Sequence, residues 1–169
     1  MSYMFKNATL LDKPIFHLCH SSVVKDMSHM FEGAVEFNKD IHDWNTATVT
    51  DMSHMFAQAG RFDEDISAWN TANVTDMSYM FASASAFLKD IGGWETGSVT
   101  DMTGMFYDAY SFNFDLNKWN TGRVTKMKNM FRDTDWFNGN ISDWDTRNVE
   151  DMSYMFTNAE KFNQDISGW

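Results

Sequence analysis

The sequence has little of the chemistry that cross-links or anchors a chain. It contains one cysteine and one proline in 169 residues. One cysteine cannot form an intrachain disulfide, so the fold must be stabilised by packing, and we expect Cys19 to fill space in the core. No run of about 18 apolar residues is present, which argues against a membrane-spanning helix. The first residues also lack the basic and apolar segments of a secretory signal.

Basic residues are scarce as well. Lysine and arginine number 13 against 24 acidic residues, for a formal net charge of -11. This balance argues against binding to nucleic acid or to an anionic membrane, because both need a basic surface. No glycine-rich phosphate loop, nucleophile elbow or metalloprotease helix motif occurs. We therefore expect no enzymatic activity, no metal and no cofactor.

What the sequence does contain is a repeat of 25 residues. The pattern of Val49–Trp69 returns at Val74–Trp94 and onward to Val149–Trp169. Self-similarity at a fixed period of this length predicts stacked units, so residues 1–169 are expected to form one array of about seven coils. The array runs through the chain from end to end, and we expect it to be a fragment of a longer protein. Units begin at Met1, Met27, Met52, Met77, Met102, Met127 and Met152.

Two periodicities alternate within each unit. Apolar residues recur at i, i+3, i+4 and i+7 across Met52–Ala59, which predicts one face of a short helix, with Thr50 as its N-cap. Asp63–Trp69 is predicted to contain a brief half-buried strand around Ile66. Trp69 lies three residues beyond Ile66 and is expected to occupy a corner.

The apolar positions of a unit are the predicted core. The methionines are expected to pack there as conformable fillers rather than to bind copper, because their spacing places them on the same face as the phenylalanines. One unit is too small to bury these side chains by itself, so adjacent units must share them. The core positions of one unit are Val49, Met52, Met55, Phe56, Ala59, Phe62, Ile66 and Trp69.

The repeated string is Val-Thr-Asp-Met-Ser-x-Met-Phe, then Ala, Phe-Asn and Asp-Ile-Ser-x-Trp, and it is complete at Val149–Trp169 except for Glu150. It resembles the 25/26-residue bacterial surface-protein repeat of BspA-like leucine-rich-repeat proteins, first described as a mycoplasma domain of unknown function. The resemblance implies a right-handed α/β solenoid with one short parallel strand and one short helix per coil. It also implies a setting in surface lipoproteins and adhesin-like proteins, with no catalytic residue. Departures from the repeat are Leu88, Leu116 and Asn140.

Three polar columns allow functional interpretations. The acidic residue before each isoleucine, as in Asp40, could form a calcium ladder or could bond to the following turn, and we favour the turn. The threonines at positions such as Thr71 and Thr75 could bind ice, but capping accounts for them. His29 and His54 share a variable surface column and could bind zinc, although the sequence offers no third ligand. The other three histidines, His17, His20 and His42, also lie in the first third of the chain.

The function that these features favour is a non-enzymatic binding or adhesion module. Outward positions of the predicted sheet differ between coils and would form a shallow acidic strip for a protein or glycan partner. The alternatives are a structural spacer or an array that self-associates end to end, followed by an ice-binding surface. The full-length protein is expected at the cell surface or secreted. The predicted binding residues are Asp65, Ser67, Asp90, Gly92, Asp115, Asn117, Asn140, Ser142, Asp165 and Ser167.

Overall fold

A computed structural model describes residues 1–15 and 23–169. The expectations for Cys19, His17 and His20 lie outside the described residues. Successive units stack so that equivalent side chains contact each other, as in the ring pair Phe56 and Phe81, whose centroids are 5.7 Å apart. The predicted stacking of 25-residue units is therefore present.

The predicted α/β solenoid, with a helix and a strand in each coil, is wrong. Residues 1–15 and 23–169 contain no helix and no extended strand. Their only β pairing is a column of isolated parallel bridges, one residue per unit. The bridges lie immediately before the first methionine of the unit, where a helix N-terminus was predicted, and not at the isoleucine. They link Asp26, Asp51, Asp76, Asp101, Lys126 and Asp151 in succession.

Consecutive β-turns replace the predicted helix over Met52–Ala59. The backbone amides of Met55, Ala57 and Ala59 donate to carbonyls three residues earlier, at 3.2, 3.1 and 3.0 Å. A helix would bond each amide to the carbonyl four residues earlier. Here the turns advance by two residues at a time, and every second amide is left to bond elsewhere.

The remaining amides bond to the next unit. His54, Phe56 and Gln58 donate to carbonyls of the following unit at 2.8, 2.9 and 2.7 Å. From His54 to Ala59, half of the amide donors therefore close turns, while the other half hold the stack together. This division satisfies the backbone without a helix or a sheet, as buried peptide groups require.

Left-handed backbone at two positions per unit makes this arrangement possible. His54 has φ 56° and Gln58 has φ 60°. A β-turn with positive φ at its third residue is of type II, and such residues recur every four positions in this segment. Glycine, asparagine and aspartate tolerate this region best, and Gly33, Asp133 and Asn158 occupy the second of the two positions in their units.

The predicted strand at Asp63–Trp69 is also absent, and the segment ends in a turn. The Trp69 amide donates to the Ile66 carbonyl at 3.1 Å, which closes a β-turn. The corner proposed for Trp69 is thus confirmed. Its indole Nε1–H donates to the Ile41 carbonyl of the preceding unit at 3.1 Å. The tryptophan column therefore links units by hydrogen bonds as well as by packing.

The predicted core positions are confirmed. Of the eight predicted core positions from Val49 to Trp69, seven have no exposed surface, and Trp69 is 4% exposed. Within the unit, the rings of Phe56 and Phe62 stack with centroids 3.9 Å apart. Between units, Phe62 stacks on Phe87 at 6.0 Å. Apart from Met4 and Met152, which are exposed, the methionines of both columns lie in or against the core cluster that contains these rings, as expected of a core filler.

The threonine columns bond to neighbouring units and cap no helix. Thr71 is 1% exposed, and its hydroxyl donates to the Glu95 carbonyl at 2.9 Å. The hydroxyl of Thr75 donates to the Thr50 carbonyl at 3.0 Å. The capping interpretation is wrong because no helix begins there in the described part of the chain. A buried hydroxyl such as that of Thr71 is also not available to ice.

A ladder of side-chain oxygens runs beside the phenylalanine column that contains Phe62, at the residue that directly follows each phenylalanine. The side chain of this residue accepts a hydrogen bond from the backbone amide of the equivalent residue in the next unit. Asn38 accepts from Asp63 at 2.9 Å, and Asn113 accepts from Asn138 at 2.8 Å. Leu88 interrupts the ladder because it has no oxygen, and its side chain is 47% exposed.

Replacing Leu88 by asparagine is expected to restore the missing rung to the Asn113 amide. One intramolecular hydrogen bond contributes about 0.5–1.5 kcal/mol, so the free energy of unfolding in urea should rise by about that amount. Asn138→Leu is the matched control, because it removes the rung to Asn163, and it should lower the stability. The ladder would have no energetic role if Leu88→Asn and Asn138→Leu both left the urea midpoint unchanged.

Candidate functional site

The ten predicted binding residues lie in turns or immediately before them, and none belongs to a sheet. Except for Asp115, each aspartate of the column precedes a turn and accepts the amide two residues later. The amide of Ser67 donates to Asp65 at 2.9 Å, and that of Gly92 donates to Asp90 at 2.8 Å. The interpretation of this column as turn-forming is therefore confirmed for these units. The same bond joins Ser142 to Asn140 at 3.0 Å and Ser167 to Asp165 at 2.9 Å.

These turn bonds stabilise the ionised carboxylates. The Ser67 amide lowers the pKa of Asp65, and the Ser167 amide lowers that of Asp165. A carboxylate oxygen that accepts an amide is partly satisfied without a cation. Among residues 1–15 and 23–169, the aspartate column forms no cluster with the separations of metal ligands.

Asp115 differs from the rest of its column. It accepts the amide of Asn140 in the next unit, at 2.8 Å. The Leu116 amide in turn donates to the Asn140 carbonyl at 3.0 Å. Asn117, two residues beyond Asp115, accepts the Asp143 amide at 2.8 Å and donates to its carboxylate at 2.7 Å. The units that begin at Met102 and Met127 are therefore bonded directly along this edge.

Four of the ten residues line one depression of about 360 Å³. They are Asp90, Gly92, Asp115 and Asn117, and Gly93 and Lys118 complete the lining. A second depression of about 370 Å³ adjoins it and shares Gly92, Gly93 and Lys118. The other six predicted residues lie along the stack outside this depression.

Missing side chains create the depression. Gly92 is required there, because a Cβ at this residue would lie 2.5 Å from the Asp115 carbonyl oxygen. Gly93 is different: a Cβ there would meet nothing within 4 Å, so the space in front of it is open. The equivalent residues in neighbouring units are Ala68 and Lys118. The sequence contained this signal as the Gly92-Gly93 pair, at two positions that carry side chains in the units on either side.

The walls of the depression carry opposite charges and amides. Asp90 and Asp115 contribute carboxylates, Lys118 contributes an ammonium and Asn117 contributes an amide. The adjoining depression adds the carboxylate of Glu95 and the amide of Asn120. Such a set can accept and donate hydrogen bonds at several points. No nucleophile with an adjacent base is among the lining residues of either depression.

The histidine column is the second place where functional groups meet. His29 and His54 stack with ring centroids 4.5 Å apart. Burial lowers the pKa of the His54 imidazole. Glu32 lies beside them and pairs with His29 Nδ1. Sequence reasoning missed Glu32 because its column varies freely, with Ala57 as the next member.

The comparisons with known proteins identify a family but no function. The family model described as "Mycoplasma protein of unknown function, DUF285" matches residues 1–116 and residues 85–169. No curated protein and no solved structure matches the chain. In the described residues, the structure also holds no helix with the length and hydropathy needed to cross a bilayer.

Proposed function

We propose that the chain, which belongs to the DUF285 family of repeat proteins, is a non-enzymatic module that binds a protein or a glycan. The parent protein would be of the BspA-like surface type and would display the module at the cell surface or after secretion. The repeat string supports this setting through its resemblance to bacterial surface-protein repeats. The binding site proposed is the depression lined by Asp90, Gly92, Asp115 and Asn117.

The observation that carries the proposal is the convergence of polar groups on open space. Carboxylates accept hydrogen bonds from sugar hydroxyls, while an ammonium and amides donate to them. The same carboxylates can pair with lysine or arginine of a protein partner. Binding sites are typically concave with a few placed polar groups, and this depression has both properties.

Filling the depression tests the proposal. Gly93→Trp places an indole in the space where a Cβ meets nothing within 4 Å, so folding should be unaffected. The wild-type chain would first be applied to arrays of immobilised oligosaccharides and of basic peptides. The strongest probe would then be titrated against the variants, and Gly93→Trp should weaken its binding by at least about tenfold.

Gly168→Trp is the matched control for the depression. Gly168 occupies the same position in the last unit, and a Cβ there would make only an ordinary contact, 3.9 Å from the Ser142 carbonyl oxygen. This variant should bind as the wild type does. Equal loss in both variants, or a wild-type chain that retains no probe from either array, would refute the depression as the binding site.

A further inference from the structure

A column of four aromatic rings lies on the outside of the first units. Tyr3 stacks on His29 with centroids 4.4 Å apart, His29 on His54 at 4.5 Å, and His54 on Tyr79 at 4.9 Å. All four rings project from residues with positive φ. Equivalent turns thus hold the two imidazoles side by side, one from each of two adjacent units.

A carboxylate completes this group. Glu32 Oε2 contacts His29 Nδ1 and lies 2.9 Å from the ammonium of Lys6. One atom each from His29, Glu32 and His54 lies within 4.8 Å of the other two. All three residues are partly buried. Among residues 1–15 and 23–169, this is the one group of three or more such side chains with these separations.

We propose that His29, Glu32 and His54 bind a divalent transition-metal ion of the zinc class. Two imidazole nitrogens and one carboxylate oxygen are a ligand set that zinc accepts, and a water molecule would take the fourth position. The site is independent of the depression at Asp90, because it lies on other residues. It bridges two units, so the ion would also tie the unit of His29 to the unit of His54.

Binding requires a limited local rearrangement. The lone pair of an imidazole lies in the plane of its ring, and the two rings are stacked 10° from parallel. At least one ring must therefore turn out of the stack to face a shared ion. Ligand atoms around tetrahedral zinc are separated by about 3.3 Å, so the group must also contract. Lys6 opposes the ion, because its ammonium lies 2.9 Å from Glu32 Oε2 and repels a second cation on the same carboxylate.

This competition predicts that removing the positive charge of Lys6 should strengthen zinc binding. Lys6→Gln removes the competing ammonium and leaves all three ligands in place, so zinc should bind several-fold more tightly. His29→Gln, His54→Gln and Glu32→Gln each remove one ligand and should weaken binding at least about tenfold. A merely electrostatic attraction of zinc to an acidic surface would not distinguish His54 from a histidine elsewhere.

Isothermal titration of the full chain with zinc chloride measures these changes. His42→Gln is the matched control: His42 is an exposed histidine that pairs with Asp40 outside the group, and its loss should leave the affinity unchanged. Replacing His17 and His20 together by glutamine should also leave it unchanged. Equal losses in the His42 and His54 variants, or loss only in the His17 and His20 variant, would overturn the proposal, as would a wild-type chain that does not bind zinc.

A second readout separates ligation from misfolding. Cobalt(II) bound by two imidazoles and a carboxylate in a tetrahedral site has visible absorption bands that the hexahydrate lacks. The wild type and the His42→Gln variant should both develop these bands, and the His54→Gln variant should not, while the thermal unfolding of all three stays cooperative. An octahedral spectrum in the wild type would contradict the proposed site.

Discussion

Phe81→Ala should lower the free energy of unfolding by about 3–5 kcal/mol, as expected when a fully buried phenylalanine is truncated. The side chain has no exposed surface. It stacks on Phe56 at 5.7 Å, on Phe106 at 5.9 Å and on Phe87 at 4.1 Å. The cavity would therefore remove contacts to the units on both sides. Since single domains are stable by about 5–15 kcal/mol, this loss is a large part of the total.

Phe156→Ala is the matched control, because it removes a ring at the end of the same column. Phe156 occupies the same column in the last unit, is only partly buried, and stacks within the column on Phe131 alone. Its truncation should cost clearly less than that of Phe81. Urea denaturation followed by tryptophan fluorescence measures both losses. Equal losses, or a loss below about 1 kcal/mol for Phe81→Ala, would contradict a continuous aromatic core.

The core was predictable because it depends on spacing alone. Residues that recur every 25 positions and are apolar must face a shared interior, whatever the backbone conformation between them. Phe56, Phe62 and Ile66 were assigned to the core on that ground, and all three are fully buried. The hydrogen bond from the Trp69 indole to the preceding unit was not predictable, because it depends on the distance between units.

The helix prediction failed for a physical reason. Over two turns, apolar residues at i, i+3, i+4 and i+7 fit a period of 3.6 residues, but they fit a period of four equally well. The successive type II turns of Met52–Ala59 repeat every four residues, with positive φ at His54 and Gln58. A better signal was present in the column that contains Gly33, Asp133 and Asn158, since these residue types tolerate left-handed backbone.

The candidate site was predictable only in part. The column of Asp65 and Asp90 was identified, and its turn bonds follow from aspartate's tendency to accept the amide two residues later. The depression was not predicted, because it arises where Gly93 leaves open space between neighbouring units that carry side chains at this position. Glu32 was also missed, since only the stacked units bring it beside His54.

Gly139→Ala is expected to be the most damaging of the small substitutions. A Cβ at Gly139 would lie 2.0 Å from the carbonyl oxygen and 2.7 Å from the carbonyl carbon of Phe114. Both are backbone atoms of the preceding unit, so no side chain can move aside to make room. The clash falls beside the bonds that join Asp115 and Leu116 to Asn140. Overpacking of this kind costs about 1–3 kcal/mol or more, and the backbone contact places Gly139→Ala at the upper end.

Gly93→Ala tests whether the cost comes from the close approach or from the loss of a glycine as such. A Cβ at Gly93 meets nothing within 4 Å, so this variant should stay within about 0.5 kcal/mol of the wild type in urea. If Gly139→Ala unfolds at the same urea concentration as Gly93→Ala, then the close contact between Gly139 and the Phe114 backbone does not exclude a Cβ, and the prediction is wrong. If Gly139→Ala alone is destabilised, the directly bonded edge between these two units is a structural requirement. Because that edge positions Asp115, disrupting the edge should also lower the affinity of any ligand that binds in the depression.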